Sequence, residues 1–187
     1  MSVKVIKTKD RKPYRPLYHA LVDKHFSAEF ETDQQTFASW SASPFFFCNI
    51  TLDDKGAVGT YAAFVLTNET MYKNILDGSL KEHQIKPIEP GEYGMPYLYW
   101  PSLIIENRTH APYLIKSIFG EVAECVKKWE LMVTHVYSIA FTKVSERLMR
   151  RYYFKNVGVY KHAGHDYPIM ISKVSENPYL RAFIPQQ

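Results

Sequence analysis

One proline constrains this chain more than any other residue. It sits inside the otherwise strand-like run Tyr97-Leu98-Tyr99-Trp100-Pro101-Ser102-Leu103-Ile104-Ile105. The run is almost wholly apolar or aromatic, as in a strand covered on both faces. Pro101 has no N–H to give to a ladder, so it predicts a bulge or a break in pairing. Glu106-Asn107-Arg108-Thr109 then turns the chain. From Tyr113, apolar residues at Ile115, Ile118, Phe119, Val122, Val126 and Trp129 recur at three- and four-residue steps, one face of a helix reaching Glu130. Thr109 is placed to cap that helix. Pro112 is tolerated in a first turn, where N–H groups lack intrahelical partners. The other free N–H groups and the positive end of the helix dipole suit an anion such as phosphate, with Arg108 at the lip.

The flanking segments read in order. Val3 to Lys7 alternates as a first strand, and Lys9 to Arg15 is a basic loop ending at Pro16. Leu17 to Phe26 has a helical stripe of Leu17, Leu21, Val22 and Phe26. Thr32-Asp33-Gln34-Gln35 is a cap signal opening a short helix through Phe37 and Trp40. Phe45 to Leu52 and Ala57 to Leu66 are apolar strands joined by the turn Asp53-Asp54-Lys55-Gly56, a hairpin. Asn68 to Gln84 reads as a helix weakened at Gly78, and Pro87 to Gly94 as a loop. After the organising helix come a strand over Leu131 to Phe141 and a helix over Val144 to Phe154 with Ser145 as its cap. A last hairpin, Gly158 to Lys161 and Tyr167 to Ile171, precedes an extended tail from Pro178.

With 187 residues the chain suits one domain spanning 1–187. A net charge of +4 permits an anionic ligand without demanding nucleic acid. Cys48 and Cys125 lie in apolar surroundings and read as buried thiols of a reducing compartment, not as a disulfide framework. There is no signal-peptide pattern and no apolar run of about eighteen residues. The expectation is a cytoplasmic protein with no membrane segment, and a homodimer is compatible with it.

The element order is β-α-α-β-β-α-β-α-β-α-β-β. Its first half calls for an antiparallel hairpin and its second for a parallel pair, hence an α/β fold with a mixed sheet and helices on both faces. This order resembles the GNAT (Gcn5-related N-acetyltransferase) superfamily over nearly the whole chain. There a bulged fourth strand leads into a pyrophosphate-binding loop and a helix. Arg108 matches the first place of the family loop and Ala111 the fourth, but Tyr113 stands where a glycine or alanine belongs. The family's helix tyrosine, a general acid, corresponds to Met149 here, and its Gly-Phe pair to Tyr153-Phe154.

The resemblance implies a mostly antiparallel sheet with one splayed parallel pair. It implies an acyltransferase that passes an acyl group, acetyl by default, directly from acyl-CoA to an amine acceptor. The expected cofactor-binding residues are Leu103, Ile104 and Ile105 for the pantetheine arm, and Arg108, Thr109, His110 and Ala111 for the pyrophosphate. Ser145 and Arg147 on the next helix join them. The expected catalytic residues are Glu106 as base, His135 as second base and Tyr99 as acid. The departures at Tyr113 and Met149 keep open a non-catalytic GNAT-like module that binds a ligand or a protein. An acyl-homoserine-lactone synthase shares the architecture, but its arginine- and aspartate-rich signature is missing. Outside this region, His162, His165 and Asp166 share one turn, too loosely spaced for a metal site. Lys143, Arg147, Arg150, Arg151 and Lys155 form a basic face without any nucleic-acid motif.

Overall fold

Successive side chains of a strand point to opposite faces, and here both faces are apolar. Phe46–Leu52 (β2), Val58–Thr67 (β3) and Tyr97–Ile105 (β4) therefore need cover on each side. The computed structural model describes residues 2–25, 34–91 and 95–184. In it, Ala62, Phe64 and Leu66 of β3 and Leu98 and Trp100 of β4 pack with α4 (Ala111–Lys128) and with Met149 of α5 (Lys143–Arg151). Tyr61, Ala63, Val65, Tyr97 and Tyr99 join the other core. There they share space with Leu21 of α1 (Arg15–His25), Trp40 of α2 (Gln34–Ala42) and Ile75 of α3 (Glu69–Leu76).

The remaining strands are β1 (Lys4–Ile6), β5 (His135–Ile139), β6 (Lys155–His162) and β7 (His165–Lys173). The seven form one sheet in the order β1-β2-β3-β4-β5-β7-β6. Among the described strands only β4 and β5 run parallel. The α/β class and the mixed sheet thus match the expectation. So does Pro101. Ala63 pairs with Ser102 and Val65 with Tyr99, so Trp100 and Pro101 together face Phe64. That is a bulge of two residues against one. It also resets the alternation: Trp100 and Leu103, three apart, both belong to the α4 side.

Several local expectations need correction. The segment Asn68 to Gln84 is not one helix. Asn68 caps α3 by accepting from the Met71 N–H at 2.9 Å, and Gly78, at φ +80°, ends it. A separate 3-10 turn covers Glu82–Gln84. β5 is shorter than Leu131 to Phe141, and β6 and β7 are longer than expected, closing on the positive-φ pair Ala163 and Gly164. The tail is not extended. Leu180 and Phe183 are buried, with a 3-10 turn at Arg181–Phe183, and Phe183 meets Phe119 of α4 edge-on at 5.2 Å. Thr32, Asp33 and Phe26 lie outside the described residues, as does the end of the loop at Gly94.

Candidate active site

β4 and β5 pair at only three positions, Tyr97 with His135, Leu98 with Val136 and Tyr99 with Tyr137. Beyond Tyr99 the bulge turns β4 toward β3, while β5 continues along β7 to Ile139. One side-chain bond spans the start of the gap: the Ser138 hydroxyl donates to the Trp100 carbonyl at 2.6 Å. The gap opens into a cleft of about 350 Å³ walled by the second half of β4, by Phe141 and by Ser145, Leu148 and Met149 of α5. A smaller cavity of about 140 Å³ adjoins it between α4, α5 and the tail at Tyr179 and Leu180. The two share Trp100, Leu103, Ile105, Leu148 and Tyr152 as walls. The cleft is mainly apolar and within the usual range for small-molecule sites.

Leu103, Ile104, Ile105 and Ser145 line this cleft as expected. Ala111 lines the adjoining cavity. Arg108, Thr109 and Arg147 are exposed. Ser145 completes a capping box with Thr142, the true cap of α5: its N–H donates to the Thr142 hydroxyl at 3.0 Å.

The turn before α4 differs from the expectation. The cap position belongs to His110, which makes no side-chain cap bond, and the Thr109 hydroxyl donates to Asn107 Oδ1 at 2.8 Å instead. Three of the turn's N–H groups are engaged within it, and those of Glu106 and Asn107 donate to the Gly59 carbonyl. Thr109 N–H donates to Asn107 Oδ1 at 3.0 Å, His110 N–H to the Asn107 carbonyl at 3.0 Å and Ala111 N–H to the Arg108 carbonyl at 3.3 Å. A phosphate here would compete with the chain's own acceptors. The cap residue, His110, has its ring fully buried against β2 and β3. Its Nδ1 meets the Thr51 hydroxyl at 3.1 Å, which meets that of Thr60 at 2.6 Å. A Cβ at Gly59 would lie 2.1 Å from Nδ1, so glycine makes the room.

The three candidate catalytic groups are not brought together. Glu106 is at the exposed rim, hydrogen-bonded to His25 and Lys24; these partners hold its carboxyl below the ordinary value. Tyr99 is fully buried on the α1–α3 side, its phenol pushed well up by burial and by Glu82. His135 stands at the closed end of the parallel pair, stacked on Tyr97 at 4.9 Å, and lines a separate cavity of about 320 Å³ with Lys155, Lys173 and Glu176, away from the cleft. Burial lowers its pKa. Sequence reasoning missed the acceptor of the Tyr99 hydroxyl, Glu82. It also missed His25 as a wall of the cleft, whereas Tyr152, expected to face inward from α5 with Leu148 and Met149, does line it. For Glu82 the sequence carries no signal.

No protein-family model and no curated protein sequence matches the chain. Solved structures do. Arabidopsis thaliana NAA60 in complex with acetyl-CoA superposes with a TM-score of 0.60 at 10% identity, over 93% of this chain and 99% of that one. Arabidopsis thaliana Naa50 with the bisubstrate analogue CoA-Ac-MVNAL gives 0.54 at 12%, over 92% and 99%. A GNAT superfamily phosphinothricin acetyltransferase from Sinorhizobium meliloti with acetyl-CoA gives 0.51 at 14%, over 92% and 89%. The chain has the GNAT fold.

Proposed function

We propose that this protein is an acyl-CoA-dependent acyltransferase, by default an N-acetyltransferase, that passes the acyl group directly to an amine. One observation carries the reading: in a GNAT fold, the parallel strands part after Tyr99 and Tyr137 and open a narrow apolar cleft. A slender thioester arm fits such a gap between Leu103 to Ile105 and α5. Arg108 and Arg147 are the exposed cations for the diphosphate and the ribose phosphate. With the turn's N–H groups engaged, these side chains carry most of the anion recognition. The neighbours crystallised with acetyl-CoA and with CoA-Ac-MVNAL support acyl-CoA as donor and an amine as acceptor. Two buried, unpaired thiols suit a reducing, cytoplasmic setting.

Calorimetric titration with acetyl-CoA and with CoA tests the reading. Saturable binding is expected, and no heat at millimolar ligand overturns it. A non-catalytic ligand-binding module is the second reading. It is favoured by the self-satisfied turn and by Met149, buried in the cleft wall at the family's general-acid position. It predicts acetyl-CoA binding without release of free CoA in the presence of any amine.

A further inference from the structure

Burying a carboxylate is costly unless charges or hydrogen bonds offset it. Glu82 is nevertheless held in place from four sides. On β4, the Tyr99 hydroxyl donates to its carboxyl. On β6, the Tyr160 hydroxyl accepts its N–H at 3.0 Å. On α2, the Thr36 hydroxyl donates to the His83 carbonyl at 3.0 Å and the Trp40 indole N–H to the Ile85 carbonyl at 2.7 Å. Within the turn, the Gln84 side chain accepts the Lys81 N–H at 2.8 Å. Glu82 is half-buried, and burial is the main influence on its carboxyl, which is pushed up to about 7. Among the described residues no cation forms a salt bridge with it. A carboxyl raised by burial and bonded to a buried phenol beside the parting strands is a candidate for proton chemistry.

Its position fits a task. Tyr99 belongs to the last rung of the parallel ladder, so Glu82 stands one hydrogen bond from the point where the cleft opens. It stands on the face opposite α4 and α5, among Tyr99, Tyr137 and Tyr160 of the second core. Phe141, a wall of the cleft, meets the Tyr160 ring edge-on at 6.2 Å and the Tyr167 ring at 5.0 Å. Phe141 is therefore the side chain that links the cleft to this aromatic cluster.

We propose that Glu82 is the base that takes the ammonium proton of the acceptor, with Tyr99 as its positioning residue. This rests on the acyltransferase reading. The Glu82 carboxylate removes one proton from the ammonium. The freed nitrogen lone pair attacks the thioester carbonyl, the C–N bond forms, and the C–S bond breaks with its electron pair leaving on sulfur. The second nitrogen proton passes to the thiolate, giving amide and free CoA thiol. Glu82 then returns its proton to solvent.

The facing groups shape the pH profile. They are Tyr99 from β4, Tyr137 from β5, Tyr160 from β6, and Lys81 and His83 on the same turn. Burial raises the Glu82 carboxyl to about 7, and the Tyr99 bond opposes that rise. Activity should therefore increase with pH through about 7 as Glu82 ionises.

The test is thiol release from acetyl-CoA with a panel of free-amine peptides and polyamines, from pH 5.5 to 9, alongside calorimetric acetyl-CoA binding. Glu82→Gln should keep acetyl-CoA affinity, lose roughly 10²–10⁴-fold in rate and lose the acid limb. Tyr99→Phe should retain turnover with the acid limb moved to higher pH. Undiminished turnover in Glu82→Gln overturns the assignment, as does loss of acetyl-CoA binding together with rate. Wild-type binding without thiol release above the enzyme-free control overturns it too. Absence of acetyl-CoA binding by the wild type instead removes the acyltransferase reading itself.

Discussion

Two carboxyls flank the opening between β4 and β5, and their surroundings drive them in opposite directions. Glu82 lies on the aromatic side beside Tyr99, where burial raises its pKa to about 7. Glu106 lies at the open rim, where His25 and Lys24 lower its pKa. A half-buried carboxyl with one donor resists ionising; an exposed one between two basic groups is ionised early and is correspondingly weak as a base. Proximity to the strand end, which suggested Glu106 from sequence, is thus a poorer guide to proton chemistry than environment.

The largest effect should follow from breaking the aromatic side. Tyr99 is fully buried, its ring 4.9 Å from that of Tyr137 and 6.5 Å from that of Trp40. Tyr99→Ala removes an aromatic ring from the core and leaves Glu82 without its donor. A loss of about 3–5 kcal/mol is expected in denaturant unfolding. Tyr99→Phe keeps the ring and loses only the donor, so about 1–3 kcal/mol should remain. Equal losses in the two variants would mean that the hydroxyl, not the packing, holds this side together.

The second effect is a pH slope. A carboxyl raised in the folded state binds its proton more tightly there than in the unfolded chain. Its contribution is fully present below the ordinary value of 4.5 and is lost as pH rises through about 7. Stability of the wild type should therefore decline across that window. Glu82→Gln should remove this part of the slope and be the more stable protein at pH 8, by about 2–3 kcal/mol after allowance for partial solvent access. Thermal scans at pH 5 and pH 8 decide it; parallel slopes would mean the Glu82 carboxyl is solvated.

At the rim the comparison turns on His110. Gly59→Ala pushes a methyl into its ring and should cost about 1–3 kcal/mol. His110→Ala in the same chain should recover most of that loss and free the turn before α4. If the ring controls how the turn spends its N–H groups, the double variant should also bind acetyl-CoA differently from Gly59→Ala alone. Unchanged affinity would uncouple the buried ring from the anion site.

The fold was readable where one pattern dominated. Pro101 announced the bulge because a missing N–H is a local fact, and the period of Ile118, Val122 and Val126 announced α4. The start of α4 misled because Thr109 has the right chemistry for a cap. Its hydroxyl bonds Asn107, and His110 takes the cap position because Gly59, far away in sequence, makes room for its ring. The tail misled because two apolar residues, Leu180 and Phe183, do not make a period, yet a core beside Phe119 was ready for them. Glu82 was invisible for the same kind of reason. Its partners come from β4 and β6, and nothing in its own stretch marks it apart from any polar turn.

The smallest effect belongs to Glu106, and it sharpens the contrast with Glu82 most directly. Its lowered pKa means that its hydrogen bond with His25 and its ion pair with Lys24 help the folded state above the ordinary carboxylate range. That help is lost as pH falls through the depressed value. Exposed pairs contribute little in water and are screened by salt. Glu106→Gln should therefore melt slightly below the wild type at pH 7 in low salt, and together with it at pH 3 or in molar salt. Its acyl-transfer rate should stay within a few-fold of the wild type, with the acid limb near pH 7 unmoved. If instead Glu106→Gln abolishes turnover while Glu82→Gln does not, the roles of the two carboxyls are exchanged, and the rim carboxylate is the proton acceptor despite its partners.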